Sequence, residues 1–337
     1  MRSRAIYGCA GTSLSAAEKS FFREARPWGF ILFTRNISDP AQVQALVAEL
    51  REALGDEKTP VLIDQEGGRV TRLKPPHWRE RPPAARFGEL YAQDLERGWD
   101  ACYLNARLIA HDLANLGITV DCLPVLDVPI PGAHDVIGDR AFARDPATII
   151  ALGKAQIEGL IDGGVLPVMK HVPGHGRAGA DSHLALPRVS ASAEELSASD
   201  FVTFRSLSEC PIAMTAHVVY ESIDPQRPAT TSPKVIRDVI RGEIGFNGLL
   251  MSDDLSMKAL DGPLAVRARL ALFAGCDLAL HCNGDMDEMR HVAAGVNELT
   301  GPALKRSEHA LTHLAAPAPF DHEAAEARLA TLLGATA

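Results

Sequence analysis

The sequence has no apolar run long enough to cross a bilayer, no CxxC pair, no cluster of lysine and arginine, and no low-complexity linker between halves. The first absence argues against a membrane-spanning chain. The second removes redox motifs and most zinc-binding motifs. The third leaves no stripe that could track a phosphate backbone, so no nucleic-acid partner is expected. Charge points the same way, with 43 acidic against 34 basic side chains and a formal net charge of −9. The opening MRSRAIYGCAGTSLSAAEKSFF carries two arginines, then an apolar stretch that polar residues soon break, which is not a signal-peptide pattern. Six cysteines (Cys9, Cys102, Cys122, Cys210, Cys276 and Cys282) are scattered, mostly inside apolar runs. They read as buried thiols of a reducing compartment, so a cytoplasmic protein is expected.

What is present is a regular alternation. Short apolar runs (AIYGCAG, GFILF, PVLIDQE, TVDCLPVLD, VLPVMKH, PIAMTAH, GLLMSDD and CDLALHC) are separated by longer segments of helical periodicity. One such segment, DPAQVQALVAELREALG, opens on Asp39 as N-cap and Pro40 as first helical residue. Continuous apolar strands between helices indicate a parallel sheet buried on both faces. About eight such repeats favour a closed (β/α)₈ barrel of TIM type over an open sheet. The expectation is a single α/β domain over residues 1–337, with a helical segment after about residue 300 that Pro317 and Pro319 interrupt.

Several of these runs finish in polar residues: Asp64-Gln65-Glu66, Asp127, Lys170-His171, His217 and Ser252-Asp253-Asp254. Singly, each could be a turn residue or a helix N-cap. Five sets at the same end of their strands favour function, because a (β/α)₈ barrel builds its active site at that mouth.

Three segments carry the most chemistry. In MKHVPGHGRAGADSHLALPRV, Lys170 and His171 close a strand and a glycine-rich loop follows, in which Asp181 and His183 are one residue apart. A carboxylate beside an imidazole orients the ring, fixes its tautomer and raises its basicity, which suits proton transfer near neutral pH; a solvated loop with incidental histidines is the alternative. In GLLMSDDLSMKAL, a strand runs into Asp253 and Asp254, with a helix expected to follow. One aspartate suffices to cap that helix, which leaves Asp253 facing the barrel mouth, where a carboxylate can act as a nucleophile. In VLIDQEGGRVTRL, Asp64 and Arg72 offer fixed acceptors and donors that suit sugar hydroxyls, or else form an ion pair of their own. Arg140, in HDVIGDRAFARDP, sits in a polar turn and is open to either a binding or a surface reading.

The ordered set IDQEGGRVTRL, PVLDV with IGDRAF, KHVPGHG with DSH, TAHVVY and LLMSDDLSM resembles bacterial β-N-acetylhexosaminidases of glycoside hydrolase family 3. It is most similar to the single-barrel members that act in peptidoglycan recycling, and it spans about residues 29–283. The resemblance implies a retaining hydrolase that removes terminal β-linked N-acetylglucosamine, with a muropeptide bearing 1,6-anhydro-N-acetylmuramic acid as substrate and no cofactor. It implies Asp253 as nucleophile, His183 as general acid/base and Asp181 as its partner. Asp64, Arg72, Arg140, Lys170 and His171 would bind the sugar. One departure stands out: the loop reads GHGRAGADSH where many relatives carry an acidic-polar stretch, so Arg177 is expected to alter leaving-group contacts.

Two other classes compete. A metal-dependent barrel hydrolase could draw on His171, His175, His183, His217 and Asp253, although no strand carries an HxH pair and Lys170 sets a cation beside His171. A non-catalytic sugar-binding barrel is the other, and fold alone does not exclude it.

Overall fold

The computed structural model describes residues 1–334. Eight strands form the centre: β1 (Ser3–Tyr7), β2 (Pro27–Leu32), β3 (Val61–Ile63), β4 (Val120–Asp121), β5 (Leu166–Val172), β6 (Ile212–Thr215), β7 (Leu249–Asp254) and β8 (Leu278–His281). They pair in parallel in chain order and close through β8 against β1, with Ala5 opposite Ala279. This is the expected α/β barrel, and each of the eight apolar runs contributes one strand.

Period-two alternation sorts the side chains. Ile6, Ile31, Leu62, Val120, Val168, Ile212, Leu249, Met251, Leu278 and Leu280 fill the barrel interior. Their neighbours, among them Tyr7, Phe30, Ile63, Met169, Ala213 and Leu250, face outward onto the helices. Burial on both faces explains why the strands read as unbroken apolar runs. The helix Pro40–Leu54 starts as its sequence dictates, with the Asp39 side chain accepting from the Gln42 amide and Pro40 in the first turn.

The C-terminal segment has a structural task that its helical pattern did not reveal. The helix Gly301–Thr312 sends Ala303 and Ala310 against the interior cluster. Trp28, near the start of β2, donates its indole N–H to Ser307 at 2.7 Å, so this helix stoppers the bottom of the barrel. A loop containing Pro317 and Pro319 then leads to the helix His322–Leu333. No described helix is long and apolar enough to cross a membrane.

Two expectations need correction. The run TVDCLPVLD is not one strand: β4 ends at Asp121, because Pro124 lacks the N–H a ladder needs. The chain instead follows β5 irregularly, with the Lys170 amide on the Pro124 carbonyl and the Leu126 amide on the Lys170 carbonyl. No helix follows Asp254 directly either. The next helix is Leu264–Ala274, with Pro263 at its N-cap position. Asp254 organises the intervening turn, accepting from the Ser256 amide at 3.1 Å and the Cys282 amide at 3.2 Å.

Candidate active site at the carboxyl mouth of the barrel

The alternation that fills the barrel also aims its last residues. Asp64 lies two positions beyond Leu62, Lys170 two beyond Val168, and Asp253 two beyond Met251, so all three turn inward at the carboxyl end. With Glu66, Arg72, Arg140, His171, His175 and His183 they line a cavity of about 300 Å³. Asp181 stands behind His183, outside the lining.

One wall is a buried charge network. The Lys170 ammonium, 2% exposed, lies 2.9 Å from Asp64 Oδ1 and 2.7 Å from Glu66 Oε1. Arg72 reaches Asp64 Oδ2 at 3.3 Å, and Arg140 grips both Glu66 oxygens at 2.9 Å. Burial opposes the charges of Asp64, Glu66, Arg140 and Lys170, but the partners win. Lys170 and Arg72 hold the Asp64 carboxyl well below its usual range. Lys170 and Arg140 hold Glu66 at about 2. For Lys170, Asp64 and Glu66 outweigh burial and raise its pKa further above 10.5. The wall therefore presents fixed donors and acceptors at any ordinary pH, which is what vicinal hydroxyls require.

Lys170→Met should expose how far the two carboxylates depend on one cation. Removing one member of a buried pair costs about 3–5 kcal/mol, and the low end applies because each carboxylate keeps an arginine. A carboxyl depressed in the fold stabilises it above the unfolded pKa and loses that contribution as pH falls toward the folded value. The variant's deficit should thus be full above about pH 5 and shrink steadily on acidification toward the Glu66 value of about 2. Denaturant unfolding at several pH values checks this; a deficit that grows on acidification would contradict it.

His171 and His175 are organised by Asp127, which is fully buried. His171 donates Nδ1–H to Asp127 Oδ2 at 2.7 Å, while the His175 amide donates to Oδ1 at 2.6 Å. Burial again opposes the charge, and His171 and His175 hold the Asp127 carboxyl below its usual value. That leaves His171 Nε2 for the cavity. Burial and the neighbouring His171 push His175 down to about 4, so it is neutral.

The loop after β5, which holds His175, also carries a third imidazole, His183. Gly176 is required there by close approach, since a Cβ would meet the Val128 carbonyl oxygen at 2.0 Å. At the loop tip, His183 donates Nδ1–H to Asp181 Oδ1 at 2.8 Å, and its own amide donates to the same oxygen at 2.9 Å. The His183 side chain is 61% exposed, so its Nε2 is open to both solvent and cavity.

Asp253 faces this pair from the end of β7 and is 7% exposed. Among the described residues its carboxylate takes one hydrogen bond, from the Asp254 amide to Oδ1 at 2.8 Å. Burial works against its charge, but His217, His171 and the Asp254 amide together hold it below 3.8. An ionised, under-coordinated carboxylate thus faces an exposed imidazole across one cavity.

Sequence reasoning missed two residues here, Glu66 and Asp127. Both had been noted as strand-end polar residues, but neither had been assigned to the site. Arg177 departs from its expectation: it does not line the cavity, and its Nε lies 2.6 Å from Asp200 Oδ2 on the opposite side of the loop. Among the cysteines, five are buried thiols and Cys282 is half-buried at the cavity edge. Of the ligand set of the metal hydrolase, His171, His175, His183 and Asp253 line the cavity and His217 does not. His217 spends its nitrogens on the Asp254 carbonyl and Thr230, and no group of three or more His, Cys, Asp or Glu able to hold a metal occurs among the described residues.

The family model for the glycosyl hydrolase family 3 N terminal domain matches residues 12–314. A beta-hexosaminidase of Alkalilimnicola ehrlichii is 40% identical over 282 residues, covering 82% of this chain and 80% of its own. Native NagZ from Neisseria gonorrhoeae superposes with a TM-score of 0.86 at 31% identity, over 100% of this chain and 98% of that one. The same protein in complex with N-trifluoroacetyl-D-glucosamine gives 0.86 and 31% as well, over 99% and 98%. A family model spanning most of the barrel, together with relatives this similar along most of their length, makes this an enzyme of glycosyl hydrolase family 3, and the chain belongs to that family.

Proposed function

We propose that the chain is a retaining β-N-acetylglucosaminidase that releases terminal N-acetylglucosamine from muropeptides bearing 1,6-anhydro-N-acetylmuramic acid. The observation that carries this reading is the opposition of Asp253 and the His183–Asp181 pair across a cavity whose remaining wall is the Asp64–Lys170–Glu66–Arg140 network. The complex of a solved relative with N-trifluoroacetyl-D-glucosamine supports the sugar assigned to that cavity.

In the first step an Asp253 oxygen attacks the anomeric carbon while the glycosidic C–O bond breaks. His183 passes its Nε2 proton to the departing oxygen, and a glycosyl ester remains on Asp253. In the second step neutral His183 takes a proton from water, whose oxygen attacks the anomeric carbon and frees the Asp253 carboxylate. One residue serves both steps in turn, as microscopic reversibility requires, and two inversions give net retention. Most retaining glycosidases use two carboxylates; here an imidazole held by Asp181 replaces the second. Asp64, Arg72, Arg140, Lys170 and His171 hold the sugar while this happens, their paired charges offering fixed donors and acceptors to its hydroxyls.

The test is hydrolysis of an aryl N-acetyl-β-glucosaminide followed by NMR, with the β-anomer expected as first product. A peptidoglycan fragment should be cleaved more efficiently than a chitin fragment, and the reverse preference would overturn the muropeptide assignment. Activity should survive exhaustive chelation, because His217 has both nitrogens engaged and His171 and His183 each give Nδ1 to an aspartate. Loss on chelation with recovery on adding zinc would favour the metal-dependent reading.

A further inference from the structure

We propose that Arg177 and Asp200 form a latch that positions the His183–Asp181 pair over the cavity, so that Arg177 is a positioning residue for proton transfer. This rests on the reading of His183 as acid/base. Arg177 lies six residues before His183 on the same loop. Its Nε is 2.6 Å from Asp200 Oδ2 and its second guanidinium nitrogen 2.9 Å from Ser199 Oγ. Asp200 is 1% exposed at the start of a helix, Asp200–Ser206, whose Phe201 and Phe204 are core residues. Thr203 of that helix donates to the Leu126 carbonyl at 2.9 Å, which fixes the helix to the segment beside β5. The guanidinium is thus moored to the rigid body of the barrel.

The rest of the loop is held in ways that give this mooring leverage. At its base the Asp127 carboxylate takes the His175 amide, and Tyr220 donates its hydroxyl to the Gly174 carbonyl. Gly174 itself has a φ of +141° and packs on Asp200, where a Cβ would come within 3.1 Å of the Asp200 Cβ. Farther along, the Ala178 carbonyl takes the His134 amide at 2.9 Å and the Ser182 carbonyl takes the Ala259 amide at 3.2 Å. These later contacts are single backbone hydrogen bonds to other loops. The charged anchor into the helical layer is Arg177, and it turns away from the cavity. Because Asp127 holds His175 independently, losing that anchor would act on the reaction chiefly through the placement of His183.

Protonation of the leaving oxygen matters for a sugar alcohol and little for a dinitrophenolate, so a misplaced acid has a recognisable signature. Arg177→Ala should slow pre-steady-state glycosylation about 10- to 100-fold with a disaccharide and about threefold or less with a dinitrophenyl glycoside, the scale expected of displacements near 1 Å. KM should stay close to wild type, Arg177→Lys should be intermediate, and added guanidinium should partly restore Arg177→Ala. Should the single variant fold poorly with Asp200 stranded, Arg177→Ala with Asp200→Asn removes both charges and should show the same split. Equal loss on both substrates, or no loss, would overturn the latch. His183→Ala run in parallel separates the two ideas. A leaving-group dependence in His183→Ala without one in the Arg177 variants defeats the latch alone, whereas its absence in His183→Ala defeats the acid/base reading itself.

Discussion

Asp253→Asn should lower kcat/KM by about 10⁴- to 10⁶-fold, the scale seen when a hydrolase loses its nucleophile, with the fold intact. The expectation of an intact fold follows from how little holds this carboxylate. Its hydrogen bond from the Asp254 amide survives in asparagine, whose side-chain oxygen accepts equally well. Removing the charge gives up only the net margin by which His217, His171 and the Asp254 amide outweigh burial. Thermal unfolding should therefore shift little, and downward where it shifts, while turnover disappears. The nucleophile can be caught directly with a slow fluorinated substrate that carries a good leaving group. Trypsin would cut after Arg241 and Lys258, so the modified peptide is GEIGFNGLLMSDDLSMK, which contains both candidate aspartates. Fragment ions must separate them. The sugar ester belongs on Asp253; an ester on Asp254 would sink the assignment, since Asp254 is tied to the Ser256 and Cys282 amides and organises a turn.

Much of this site was legible because strand and barrel physics leave marks in sequence. A parallel strand buried on both faces cannot hide its apolar run, and a polar residue at the end of such a run has few places to point. Asp64, Lys170 and Asp253 were readable for that reason. Glu66 and Asp127 were not assigned because their roles exist only in pairs. Glu66 matters through Arg140, 74 residues away, and Asp127 through His171, 44 residues away. Nothing local distinguishes either from a turn residue. Arg177 shows the same limit from the other side. Its position in the loop suggested contact with the leaving group, yet a long, unbranched stem can leave a loop in either direction, and Asp200 decides which. The helix after residue 300 was readable as a helix, but periodicity does not say that its small residues would stopper the barrel floor.

His183→Ala should be costly in proportion to the basicity of the leaving group. An imidazole that protonates the departing oxygen lowers the barrier only to the extent that the bare alkoxide is unstable. General acid catalysis contributes about 10²–10⁴-fold, and a loss of that size is expected in glycosylation by a natural disaccharide. A dinitrophenyl glycoside, whose phenolate departs unaided, should glycosylate Asp253 at a rate much closer to wild type. Its slow step should then become deglycosylation, because the residue that accepts a proton from water is missing. A burst of dinitrophenolate followed by slow turnover is the expected trace, and azide, which needs no deprotonation, should raise the slow rate by forming a glycosyl azide. The exposure of His183 matters here: with its side chain 61% open, small nucleophiles can reach the ester from solvent. Asp181→Asn should show a milder version, since both hydrogen bonds that orient His183 run to Asp181 Oδ1 and an amide oxygen can replace them without the charge. If His183→Ala lost the same factor with every leaving group, and azide changed nothing, the imidazole would be holding the loop in place and the proton would have to come from another group on the cavity wall.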